Sequence, residues 1–299
     1  MMPLFRKVTV LAVAALVLLM LGAPVGADDA AMKPFVLGSS GPGTIEEKLG
    51  EIKAAVAQQG FQVVGDYAPY KGAHIVVVTS DALKNSAAKS DFGAYGAVQR
   101  IALTETAKEL QVAYTNPLYM AQAYRMKDTL AETAAALEKA LGKKAEFGSA
   151  DGLKANKLRK YHYMMMMPYF TDPIELGAYK TQEEAVQAVE TNLAASKGGA
   201  FKVYRVDVPG KKESVFGVGL TKGEGADAAI MKIIDKGEMK HTAHLPYELI
   251  VSDGKVYMLH GKFRIAVNFP DLTMGTFMKI SGAPSAIEDT LELVAGAKE

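Results

Sequence analysis

Hydrophobic and polar positions along the chain fall into two rounds of one pattern. Residues 44–58, TIEEKLGEIKAAVAQ, place Ile45, Leu49, Ile52, Ala55 and Val56 at helical spacing. Thr44 stands ahead of them as an N-cap, and Glu47, three residues on, supplies the second half of a capping box. Residues 181–195, TQEEAVQAVETNLAA, repeat the arrangement with Thr181, Glu184 and the stripe Ala185, Val186, Val189, Leu193. Each predicted helix runs into glycine, Gly60 in the first and Gly198-Gly199 in the second. The period then switches to two. Segments 61–64 and 201–204 read as strands, and further apolar runs follow at 74–78 and 215–220. A hairpin-like pair comes next, 97–103 with 110–114 in the first round and 247–251 with 256–259 in the second. The second pair turns at Ser252-Asp253-Gly254, a strong turn signal. Proline then marks a helix start, at Asn116-Pro117 and at Asn268-Phe269-Pro270, and amphipathic helices at 129–141 and 285–293 close the two rounds.

The pattern predicts an α+β protein of two pseudo-repeated domains, each an antiparallel sheet with helices packed on one face. Copy 1 covers 44–145 and copy 2 covers 178–299. Residues 146–177 form a linker that carries a Met-rich strand, and the Gly- and Ser-rich 28–43 reads as a flexible N-terminal arm. Residues 1–27 read as a signal peptide. Arg6 and Lys7 precede an apolar run from Val8 to Leu21, and Val25-Gly26-Ala27 places small residues at a cleavage site. The run of 14 residues falls short of the ~20 needed to span a bilayer, so no stable membrane span is expected after processing. An exported protein, periplasmic or in an equivalent space, follows.

Composition narrows the chemistry. With Cys 0, the chain cannot build disulfides, zinc ribbons, iron–sulfur clusters or a thiol nucleophile. Lys+Arg 34 against Asp+Glu 33 makes no electrostatic case for nucleic acid, and losing Arg6 and Lys7 with the leader only moves the formal charge from +1 to −1.

Two segments carry a resemblance. LPYELIVSDGKVYM followed by VNFPDLTMGTFMKI resembles the core of the "domain of unknown function 302" family, and VAYTNPLYMAQAYRM in the first copy is similar to that family's strand, Asn-Pro turn and helix. The resemblance implies a small α+β sandwich in each copy. Where the family often carries Gly-Asn-Pro after the second strand, this chain has Gly217-Val218-Gly219 and, in copy 1, Thr79-Ser80-Asp81. The family supplies no activity.

Three sets of residues are candidates for function. Met239, His241 and His244 precede the strand at 247. On a helical turn the two imidazoles of H-x-x-H share a face, and with a thioether they suit copper better than calcium or magnesium. Two solvated loop histidines are the competing reading. The run YHYMMMMPYF, read as a strand, puts His162, Met164 and Met166 on one face as a chelate for Cu(I) or Ag(I). Core packing by a doubly buried strand competes with it. Tyr119, Met120, Tyr124, Met274 and Phe277 would line an apolar ligand pocket between helix and sheet, although the same spacing suits an ordinary core helix.

Catalytic motifs are nearly absent: there is no G-x-S-x-G, P-loop, strand-borne G-x-G-x-x-G or H-E-x-x-H. The expectation is therefore an exported binding protein for a small ligand or soft metal ion, non-catalytic, with copper as the candidate metal. One alternative is an enzyme with its site at the inter-domain cleft or around Asp253, Tyr257 and His260 of the second hairpin. The other is a structural partner in an exported complex.

Overall fold

The structure, a computed structural model, describes residues 30–296; the expected signal peptide lies outside the described residues. In the first half the order is β1 (Phe35–Gly41), α1 (Ile45–Gln58), β2 (Gln62–Tyr67), β3 (Ala73–Thr79), α2 (Asp81–Ala88), β4 (Gln99–Glu105), β5 (Leu110–Thr115), α3 (Pro117–Ala123), α4 (Ala131–Leu141) and β6 (Ala145–Phe147). After α5 (Ala155–Leu158) the second half runs β7 (Ile174–Ala178), α6 (Gln182–Ala194), β8 (Ala200–Asp207), β9 (Glu213–Leu220), α7 (Asp227–Ile234), β10 (Tyr247–Ser252), β11 (Lys255–Met258), α8 (Gly261–Asn268), α9 (Met274–Met278) and α10 (Ala283–Ala295). Two antiparallel sheets result, ordered β2-β3-β4-β5-β1-β6 and β7-β11-β10-β9-β8. The fold is α+β. Apart from β6, the two sheets follow the same path.

The local signals hold where they are self-contained. Thr44 Oγ1 accepts from Glu47 N and Glu47 Oε2 accepts from Thr44 N, so α1 carries the full capping box. At α6, Thr181 Oγ1 accepts from Glu184 N, but the Glu184 carboxylate accepts from Lys180 N instead of the cap. Three expectations are corrected. Residues 35–41 are no arm: they form β1, hydrogen-bonded between β5 and β6. Asn268-Phe269-Pro270 does not open a helix, because α8 already ends at Asn268 and α9 starts only at Met274, capped by Thr273. Residues 161–170 are no strand but a loop containing a tight turn.

Helices α1 and α4 cover the outside of the first sheet, and α6 and α10 the outside of the second. The inner faces meet, so nearly every residue of β3, β4, β5, β9 and β10 is buried. That explains apolar runs such as 75–78 in β3 and 215–220 in β9, as in sheets covered on both faces. The buried residues make one cluster through both halves rather than a core apiece. The two sheets approach at β2 and β8, both bulged there. Gly65 permits the contact, since a Cβ on it would sit 2.1 Å from the Val203 carbonyl oxygen.

Each half also sends a short segment onto the other sheet. The Gly93–Gly96 turn lies against β9 and β10, where Ala94 N donates to Glu213 at 2.8 Å. The Thr242–His244 turn lies against β4 and β5. Among the described residues no helix is long and apolar enough to cross a membrane.

Candidate functional site

The meeting of the sheets is polar at its centre. Arg100 on β4 donates from Nη1 to Glu248 Oε1 on β10 at 2.8 Å and from Nε to the Ala243 carbonyl at 3.0 Å. Tyr204 Oη donates to the same carboxylate oxygen at 2.8 Å, and Arg264 Nε lies 3.4 Å from the other. All four side chains are buried. Gly217 allows this arrangement: a Cβ there would lie 2.0 Å from the ring of Tyr204. Burial pushes the Tyr204 phenol up, reinforced by the Glu248 charge, so it stays a donor.

His244 belongs to this cluster. Arg264 donates to its Nδ1 at 3.0 Å and to its carbonyl at 2.6 Å. Since a guanidinium only donates, Nδ1 is the bare nitrogen and Nε2–H is left to face the Tyr247 hydroxyl at 3.1 Å. Burial holds the imidazole well below its ordinary range, and the charges of Arg264 and Arg100 push it the same way.

His241, three residues earlier, has different partners. Asp235, just past α7, accepts from His241 N at 3.1 Å on both carboxylate oxygens and from its ring Nδ1 at 3.2 Å. The ring stacks on Phe269 at 4.6 Å and meets the edges of Phe35 and Phe147. Its Nε2 lies beside Gly148, where a Cβ would approach to 3.2 Å. Phe269 also contacts the ring of His244 at 5.3 Å. Met239 packs against the core. The expected trio Met239, His241 and His244 is thus divided: one imidazole spends both nitrogens inside the protein and the other is oriented by Asp235. Neither is a solvated loop histidine. Among the described residues no three His, Asp or Glu side chains are grouped to hold a metal ion.

The other expected residues are dispersed. Tyr119, Met120 and Tyr124 are fully buried, and Tyr119 Oη donates to the Val267 carbonyl at 2.8 Å. Phe277 is buried while Met274 is exposed, so the expected helix–sheet pocket is filled by its own lining. Asp253 occupies the exposed hairpin turn, 3.6 Å from Lys212. Tyr257 meets Phe92 edge-on, and His260 Nδ1 caps α8 by accepting from Lys262 N at 3.2 Å. These three do not converge. His162, Met164 and Met166 share no strand face, and the methionines are exposed rather than core.

Two open recesses flank Asp235. One, of about 490 Å³, contains His241, Phe269, Asp271, Thr273 and Lys279. The other, of about 500 Å³, lies between α7 and the turn joining β2 to β3, and so between the halves. Tyr70 and Thr104 supply hydroxyls to it, Ala228 and Met231 apolar wall, and Lys71, Lys232, Lys236 and Lys240 cations. Lys236 lines both recesses.

Two carboxylates, Asp235 and Glu105, also line the second recess, against four lysines. The Asp235 carboxylate serves His241, and Glu105 accepts from Ile45 N at 3.4 Å. Lys240 donates to the Asp235 carbonyl. Among the described residues, the ammonium groups of Lys71, Lys232 and Lys236 have no ion-pair or hydrogen-bond partner. Tyr70 Oη lies 3.0 Å from Thr242 Oγ1, which accepts from Thr104 at 2.8 Å. Burial pushes the Tyr70 phenol up to about 12, against the pull of the Thr242 hydrogen bond.

Behind this recess sits Asp227, the first residue of α7. Its Oδ2 accepts from Tyr67 Oη at 2.9 Å and Leu220 N at 3.3 Å, while Oδ1 has no partner. Burial raises this carboxyl to about 7 even though both hydrogen bonds favour its anion. None of these residues was legible as a site in the sequence. The one available signal was Lys232, Lys236 and Lys240, spaced by four after an amphipathic stretch. Compared with models of protein families, with curated proteins and with solved structures, the chain matches none.

Proposed function

We propose that the protein is an exported, non-catalytic binding protein for a small organic anion, held in the recess between α7 and the β2–β3 turn. The observation that carries this reading is the set of three exposed lysines, Lys71, Lys232 and Lys236, that line a recess of about 500 Å³ and, among the described residues, have no protein partner for their ammonium groups. That volume is in the range of small-molecule sites, which combine apolar wall with a few placed polar groups. The lysines would attract a carboxylate, sulfonate or phosphoryl group, and Met231 and Ala228 would take an apolar body. Thr242, which accepts from Thr104, has a hydroxyl proton to donate to Tyr70, an arrangement that would leave the phenol proton for the ligand. The position between two halves is where ligand sites concentrate. The leader-like 1–27 supports export, and the resemblance to the "domain of unknown function 302" family adds an expected fold but no ligand.

Fluorescence titration with 8-anilinonaphthalene-1-sulfonate, an apolar body carrying one anionic group, tests the reading. The triple variant Lys71→Gln/Lys232→Gln/Lys236→Gln is expected to bind at least ~10-fold more weakly, and wild-type affinity is expected to fall as salt screens the lysines. Equal affinity in the triple variant would exclude the site.

A further inference from the structure

The Met-rich loop presents side chains where packing does not require them. Met164 is 44% exposed, Met165 84% and Met166 96%; nearby, Met274 is 36% and Met278 60%. Apart from Tyr169 in the same loop and Val63, no other large apolar side chain among the described residues is so exposed. Met167 N donates to the Met164 carbonyl at 3.0 Å, closing a turn with Met165 and Met166 at its tip. Met166 there has φ +67°, in the left-handed region that glycine or asparagine adopts at lower cost. Strain of this kind is kept where the surroundings or a function demand it.

A nitrogen ligand stands at the same turn. His162 Nδ1 lies 2.7 Å from the Met164 carbonyl oxygen, which can only accept. The ring proton is therefore on Nδ1 and Nε2 carries the lone pair, the tautomer in which metal-bound histidine is held by an outer hydrogen bond. The ring of Tyr169, 4.5 Å away, restrains the imidazole. Tyr163, between His162 and Met164, stacks on Phe277 at 6.0 Å. That contact sets α9, with Met274 and Met278 exposed, beside the turn.

The donor set selects the ion. Residues 152–171 contain no Asp, Glu or Cys, and the flanking Asp172 already accepts from Tyr169 N at 2.9 Å, so calcium or magnesium would find a single carboxylate and zinc no thiolate. Imidazole and thioether suit soft d10 ions. The adjoining recess of about 750 Å³ is lined by Arg125, Lys157 and Lys160, so the electrostatic penalty is smallest for a monovalent cation.

We propose that His162 Nε2 and the thioethers of Met164, Met165 and Met166 form a binding site for a soft monovalent ion, Cu(I) or Ag(I). The step is ligand exchange alone: water leaves the ion, neutral donors replace it, and no electron or proton is transferred. The site differs from the one first expected, since the donors stand on a turn and not on a strand face. It is independent of the anion recess.

Ag(I), which undergoes no redox chemistry here, is the probe, titrated by calorimetry into the chain from residue 28 onward. One ion per chain is expected. Met164→Leu/Met165→Leu/Met166→Leu keeps apolar side chains of similar size at exposed positions, and is expected to weaken uptake at least ~10-fold with an unchanged circular dichroism spectrum. His162→Gln is expected to weaken it too, while the triple lysine variant retains it. In carbon-13 methionine-methyl spectra, the resonances of Met164, Met165 and Met166 should move on adding Ag(I). Absence of stoichiometric uptake, equal affinity in the Leu variant, or methyl shifts confined to other methionines would each overturn the proposal.

Discussion

Glu248→Gln is expected to destabilise the protein by about 3–5 kcal/mol, the usual loss when one partner of a buried ionic cluster is removed. Among the described residues, the Glu248 carboxylate is the only acid in direct contact with both buried guanidinium groups, Arg100 at 2.8 Å and Arg264 at 3.4 Å. It also accepts from the Tyr204 hydroxyl. An amide of the same shape leaves two desolvated cations without an opposing charge and presents its own N–H groups to donors. The neutral state of His244 cannot help, because its bare Nδ1 is already used by Arg264. Exposed pairs such as Lys108–Glu238 should show no comparable loss, because water solvates both ions already. Equilibrium denaturation measures the difference, and a loss under ~1 kcal/mol would show that the cluster is not what ties the two sheets together.

The second large effect is a pH dependence. The Asp227 carboxyl is raised by burial from its ordinary 3.8 to about 7 in the folded protein. Between those values the folded state keeps a proton that the unfolded chain has lost. Stability from this group is therefore full below about pH 4, is lost as pH rises to about 7, and is constant above. Its full span is roughly 4 kcal/mol. His244 acts oppositely in part of that range. Its folded value lies well below 6.5, so the unfolded chain takes up its proton first and stability falls on acidification. Comparison with Asp227→Asn isolates the carboxyl, since His244 is common to both proteins. The Asn oxygen can accept from Tyr67 and Leu220 as the carboxylic acid does, so the variant should lack the loss between pH 4 and 7. Relative to wild type it should gain up to ~4 kcal/mol by pH 8. Parallel stability curves for the two proteins would place the Asp227 carboxyl at an ordinary value.

What was legible in the sequence was what four or five neighbouring residues decide. The Thr44–Glu47 box closes within one helical turn. Asp253 and Gly254 adopt positive φ in a two-residue hairpin turn, which a short polar side chain tolerates and a missing Cβ makes easy. The strand β1 was not legible, because FVLGSSG owes its extended state to β5 and β6, contributed by residues 110–115 and 145–147.

The site residues failed for the same reason. His244 is buried by Arg264, twenty positions on, and Lys71 meets Lys232 and Lys236 only because the halves fold against each other. The Met run misled differently. Four methionines satisfy a doubly buried strand as well as an exposed turn, and only the backbone at Met166 separates the two.

The buried cluster and the surface recess belong to one arrangement. The Thr242–His244 turn delivers His244 to the cluster and Thr242 to the hydroxyl chain that ends at Tyr70. The ionic centre thereby fixes the turn whose Thr242 hydroxyl holds Tyr70 and Thr104, two residues of the recess lining.

The most direct measurement of the binding account is a crystal structure of the chain from residue 28 onward with naphthalene-1-sulfonate. The expected result is a sulfonate within hydrogen-bonding distance of at least two of Lys71, Lys232 and Lys236, with the rings against Met231 and Ala228. A sulfonate bound elsewhere while this recess holds only water would contradict it.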